Sequence, residues 1–172
     1  MSENIMVSLY YVDRRPIETL VPDSIEPRAA YQQDDPRRNL SMRLRGEDIY
    51  GLTPYFTDTN RLSTYLETRH GRMSKEDLLR NADDWYLHYD KHGVLSTFIS
   101  CTSRHIPGAS LSNGRLENTL PGVDRGMCTQ SLVIPEYKLN IVITYLRAYL
   151  GDWEKIEDRV RGYIKKSYVV NK

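Results

Sequence analysis

The chain has 172 residues, 40% of them hydrophobic, and a formal charge of +1 in which acids and bases nearly balance. That length suits one domain with a proper core and is too short for two, and the charge gives no electrostatic footprint for duplex nucleic acid or an acidic membrane surface. No apolar run approaches the roughly 20 residues that cross a bilayer, and the N-terminus lacks the basic and apolar regions of a signal peptide, so the expected setting is cytoplasmic or that of a delivered effector domain.

Ile5, Met6 and Val7 followed by Leu9-Tyr10-Tyr11-Val12 read as a buried first strand. It runs into Asp13-Arg14-Arg15-Pro16. Arginine forks suit phosphate and Pro16 removes a backbone donor, which makes the strand end a place for a phosphorylated ligand; the competing reading is a surface ion pair between Asp13 and one arginine. Pro22, Pro27 and Pro36 then interrupt a long irregular connection to about Asn39, either a lip over a site or a disordered excursion. Residues 51–58 carry Pro54 and three aromatics and read as a packed loop.

Thr59 or Asn60 can cap a helix through Leu62, Tyr65 and Leu66 to His70-Gly71. Ser74 and Asp77 resemble a capping box opening a second helix, whose stripe of Leu78, Leu79, Ala82, Trp85, Tyr86 and Tyr89 stops at Gly93. Residues 94–103 are a strand carrying four Ser and Thr hydroxyls, which places it at a solvated edge or facing a polar ligand. Pro107-Gly108, Asn113-Gly114 and Pro121-Gly122 are three successive turn signals. Residues 130–134 and 139–145 read as core strands broken at Pro135-Glu136. An acidic surface turn at 151–158 precedes a final strand over about 163–170.

Cys101 and Cys128 are too few for a disulfide scaffold, and two buried thiols are favoured over a single bridge. Thirteen tyrosines against two phenylalanines suit half-buried rings in a cleft-bearing domain. His70, His88, His92 and His105 show no zinc spacing, with His88 and His92 four apart on the second helix, so no metal site is expected. No glycine-rich phosphate loop follows a strand, and no Gly-x-Ser-x-Gly elbow is present, which disfavours a Rossmann enzyme, an NTPase and a serine hydrolase.

LYYVDRRP (9–16), SIEPRAA (24–30), HGVLSTFIS (92–100) and EDRVRGYI (157–164) occur in an order that resembles the ADP-ribosyltransferase fold, in particular the cholera, heat-labile enterotoxin and pertussis toxin A-subunit group. The resemblance spans about residues 9–164. It implies an α+β fold with a split mixed β-sheet core and flanking helices, as a single domain over 1–172. It also implies NAD as substrate and transfer of ADP-ribose to a macromolecular acceptor, most simply a protein, by a toxin or effector, with NAD glycohydrolase activity as a companion reaction.

Carried over by motif, Glu157 is the catalytic glutamate, with Ser96 and His70 as further catalytic candidates. Tyr11, Asp13, Arg15, Thr97 and Ser100 are the cofactor-binding candidates. Cleavage of the nicotinamide–ribose bond develops a cation, so a fixed carboxylate is worth more in the transition state than in the ground state. Tyr11 stands where the family has an arginine, and Lys155 where arginine-modifying members keep a second glutamate. Those departures define the alternative, a catalytically impaired domain of the same fold that works as a binding module or regulatory subunit with a partner.

Overall fold

The computed structural model describes residues 5–106, 110–112, 115–117 and 126–169. Its elements in chain order are β1 (Ile5–Tyr11), β2 (Leu44–Arg45), β3 (Thr53–Phe56), α1 (Thr59–His70), α2 (Lys75–Arg80), β4 (Asp83–Tyr89) and β5 (Leu95–Thr102). They continue with β6 (Ser110–Ser112), β7 (Arg115–Glu117), β8 (Met127–Ile134), β9 (Leu139–Leu146) and α3 (Trp153–Val169). Seven strands form one open sheet in the order β1-β9-β8-β5-β4-β3-β2, and every pairing in it is antiparallel. The architecture is α+β, but the sheet is neither mixed nor split as expected from the family resemblance. β6 and β7 form a separate small hairpin. The turn signals at 107–108, 113–114 and 121–122 lie outside the described residues.

Side chains alternate across a strand, and β5, β8 and β9 show that alternation cleanly. One set of positions, including Ile99, Leu132, Ile141 and Ile143, packs against Trp153, Ile156 and Ile164 of α3 to form the main core. The opposite face is covered in part by the connection from Val12 to Arg43, which folds as short 3-10 turns and brings Val21, Ile25 and Leu40 onto Leu87 and Phe98. A third cluster joins Leu62 and Leu66 of α1 to Ala82.

Four local expectations are corrected. The second helix ends at Arg80, and its supposed continuation is the strand β4. The Ser74 cap is present: its hydroxyl accepts from the Asp77 N–H at 3.0 Å and donates to the Asp77 carboxylate at 2.7 Å. Beyond Asn81, however, Trp85 and Leu87 face one side of the sheet and Tyr86 the other, so a segment buried on both faces imitates a helical stripe. Gly93, at φ +77°, belongs to the β4–β5 hairpin turn, where Asp90 Oδ1 accepts from the backbone of His92 and Val94 at 2.8 and 2.9 Å. His88 therefore lies on a strand and His92 in a turn, and they share no helix face.

Residues 51–58, read as a loop, contain β3. The final strand is instead the second half of α3. Trp153, Ile156, Val160 and Ile164 recur at spacings of three and four and face the core, whereas the apolar run near 168–170 suggested a strand. Cys101 and Cys128 are bonded to each other rather than free; they stand directly opposite on β5 and β8, with Cα atoms 4.0 Å apart.

Candidate functional site

Glu157 lies on α3 and is buried against the sheet. Its Oε2 accepts from Thr97 Oγ1 at 3.0 Å and from Gln130 Nε2 at 2.8 Å, and its Oε1 accepts from Arg161 Nε at 2.8 Å. Tyr145 donates its hydroxyl to Gln130 Oε1 at 3.1 Å, and Arg161 Nη1 donates to the Val133 carbonyl at 3.2 Å. Burial, followed by the Glu157 charge, pushes the Tyr145 pKa up and keeps its proton on the oxygen. Thr97 and Glu157 thus meet in space, in a bracket that fixes α3 to β5, β8 and β9. A buried carboxylate is tolerated because an arginine and two neutral donors complete its shell.

The remaining sequence candidates are dispersed. Ser100 occupies the face of β5 opposite Thr97 and donates to the Asp83 carboxylate, whereas Ser96 is the extra residue where the β4–β5 register shifts and donates to the His88 carbonyl at 3.2 Å. Tyr11 is exposed at the end of β1. Arg15 lies 3.7 Å from Asp23, both about 40% exposed, a weak surface pair. Asp13 is exposed and forms no ion pair among the described residues. His70 is exposed at the last turn of α1, where a positive charge complements the helix dipole.

A concavity opens on the side of Ser100. It is a cleft of about 410 Å³ between the 12–43 connection and β4–β5. Asp83, Trp85, Phe98 and Ser100 form its floor, with the buried Arg43 held behind Asp83 and Trp85, and sequence reasoning singled out neither Arg43 nor Asp83. The Arg43 guanidinium is fully buried and stacks over Trp85 at 3.5 Å. It donates to the Asp83 carboxylate at 2.9 Å, to the Asp83 carbonyl at 2.7 Å and to Thr57 Oγ1 at 3.2 Å. The second carboxylate oxygen of Asp83 accepts from Trp85 Nε1 at 2.7 Å and from Ser100. Burial lowers the Arg43 pKa, and the charge of Asp83 opposes that fall.

Above this floor, Asp35 grips Arg37 with two bonds of 2.9 Å, which holds the connection in shape. Arg28 and Arg38 line the cleft, are exposed and form no ion pair among the described residues; Glu26 lies beside them. The Asp83 carboxylate and the Arg43 Nη atoms are engaged with one another and their neighbours, whereas the buried Arg43 Nε has no hydrogen-bond partner among the described residues; an incoming molecule meets the mixed charges of the rim. Among the described residues, no group of three or more His, Cys, Asp or Glu side chains is arranged to hold a metal ion. No described helix is long and apolar enough to cross a membrane.

The sequence matches no protein-family model and no curated protein. Among solved structures it is similar to Smlt3025, an immunity protein of the Stenotrophomonas maltophilia type IV secretion system. The TM-score is 0.77 and the identity 29%, covering 94% of this chain and 68% of that one. The likeness is to an immunity protein.

That finding overturns the resemblance to ADP-ribosyltransferase toxins, and with it the expectation of an enzyme that transfers ADP-ribose and acts as a toxin or effector. The expectation of NAD rested on that resemblance alone. Short motifs in the same order misled because their spacing did not fix what they form. EDRVRGYI lies within a helix, and LYYVDRRP leaves an outer strand of an antiparallel sheet.

Proposed function

We propose that this chain is an immunity-type protein that binds and neutralises a protein effector delivered by a secretion system. The similarity to Smlt3025 carries this reading, because it covers 94% of the chain rather than a single motif. The charged rim of the cleft supports it, since mixed, exposed charge suits recognition of another protein's polar surface. The buried Cys101–Cys128 bridge supports a working place in an oxidising compartment.

A competition between cells tests the reading. Bacteria carrying an antibacterial type IV secretion system are grown with recipients that do or do not produce this chain. Survival of the producing recipients, with the chain recovered in a stoichiometric complex with one secreted effector, is the expected result. Equal killing of both recipients, with the folded chain present in the same compartment as the effector, overturns it.

A further inference from the structure

The two edges of the seven-stranded sheet are built differently. β2 is two residues long, contains Arg45 and leads into Gly46-Glu47-Asp48. β1 runs seven residues in unbroken register with β9 and contains no charge, no proline and no bulge, which are the usual devices that keep an edge from pairing. Its residues are nonetheless exposed: Met6 61%, Leu9 52%, Tyr10 53% and Tyr11 65%.

The ladder fixes which backbone groups of β1 face outward. Val12 N–H donates to the Lys138 carbonyl at 2.8 Å, one step beyond the Tyr11–Leu139 pair. Bonded and unbonded pairs alternate in an antiparallel ladder, so Met6, Ser8 and Tyr10 bond to β9, and the peptide groups of Ile5, Val7, Leu9 and Tyr11 point away from it. That outward set is symmetric about Ser8. If two copies of β1 meet antiparallel with a two-fold axis at Ser8, Val7 falls opposite Leu9 and Ile5 opposite Tyr11. Every outward N–H and C=O then finds a partner. The side chains agree: Val7 meets Leu9 and Ile5 meets Tyr11 on the α3 face, and Met6 meets Tyr10 on the other, with no charge anywhere in the contact.

We propose that β1 is a homodimer interface, where a second copy of this chain pairs antiparallel through a two-fold axis at Ser8 and joins the two sheets into one. The self-complementary register and uncharged sequence favour a second copy over a foreign strand. The proposal is independent of the effector-binding reading.

Sedimentation of the full chain gives its mass, and cross-linking gives the register. The expected mass is twice 20.1 kDa. Val7→Lys combined with Leu9→Lys sets like charges opposite one another across the axis and reduces the mass to one chain, while the thermal unfolding of the monomer is retained because lysine is well tolerated on an exposed edge. In the Ser8→Cys variant the new thiols face each other as an unbonded pair with Cα atoms about 4.5 Å apart, so mild oxidation yields a covalent dimer. Met6→Cys, opposite Tyr10, does not cross-link. Neither native cysteine is free to compete. A chain that remains monomeric at the highest attainable concentration overturns the proposal. So does a dimer that survives the paired lysines, or one in which Met6→Cys cross-links and Ser8→Cys does not.

Discussion

Two carboxylates, the buried Glu157 and the partly exposed Asp83 that holds the buried Arg43, are each defined by what surrounds them. Glu157 and Asp83 both sit against an arginine and both accept from neutral donors as well. Their sequence contexts differ. Glu157 became a candidate through the family resemblance of EDRVRGYI, whereas Asp83 stands at the start of an aromatic stretch that gave no such signal. Removing one partner of a buried pair leaves an uncompensated charge, so Asp83→Ala is expected to cost about 3–5 kcal/mol, the Arg43 guanidinium having no access to water. Urea denaturation measures the loss, and replacing Arg43 with methionine in the same background recovers part of it. Glu157→Ala is expected to cost about 3 kcal/mol, the lower end of that range, because Arg161 is partly exposed and can turn to solvent. The Thr97–Glu157 contact was legible only as two separate candidates, since nothing in a sequence gives a 60-residue closure.

Elements differ in how openly they announce themselves. β5, β8 and β9 alternate with period two, and α1 carries an i, i+3, i+4 pattern, so each is readable from its residues, although the cap of α1 is Asp58 rather than Thr59 or Asn60. β4 and α3 are not, because a doubly buried strand and an amphipathic helix ending in Tyr168-Val169 each borrow the other's pattern. Gly162 illustrates the helix directly. It lies inside α3 with nothing within 4 Å of where a Cβ would project, so Gly162→Ala is expected to stabilise the protein by about 0.5–1 kcal/mol. A final strand starting at 163 would predict no such gain, and thermal unfolding measures it.

The connection over the cleft depends on Asp35. Burial raises its pKa, but the Arg37 hydrogen bonds and charge pull it further down, to a net value below the ordinary 3.8. A depressed carboxylate stabilises the fold fully above the unfolded pKa and loses that contribution as pH falls through the lower folded value. The stability gap between wild type and Asp35→Asn is therefore expected to be complete at neutral pH and to close on acidification below pH 3.8, as followed by denaturant titrations at each pH.

At the scale of the molecule, the disulfide ties the central pair β5–β8 across 27 residues, a closure whose entropy corresponds to about 3.5 kcal/mol in the loop model. Replacing Cys101 and Cys128 together with alanine is expected to lower stability by up to that amount, measured against the oxidised chain. For the proposed recognition, Arg28→Glu with Arg38→Glu is expected to slow association with the proposed effector, more strongly at low salt, while the chain remains folded; surface plasmon resonance across a salt series measures it.

The sequence alone determined the central strands, the first helix and the turn-rich connection, because these follow from local periodicity and from residues that break elements. Tertiary structure decided the rest: which face each side chain occupies, that Cys101 stands across from Cys128, that Glu157 closes a bracket with Thr97, and that Asp83, held by the buried Arg43, lines the floor of a cleft. The reason is physical. Register and burial are set by pairing between residues tens of positions apart, and a short motif carries no information about the partner that its backbone will meet.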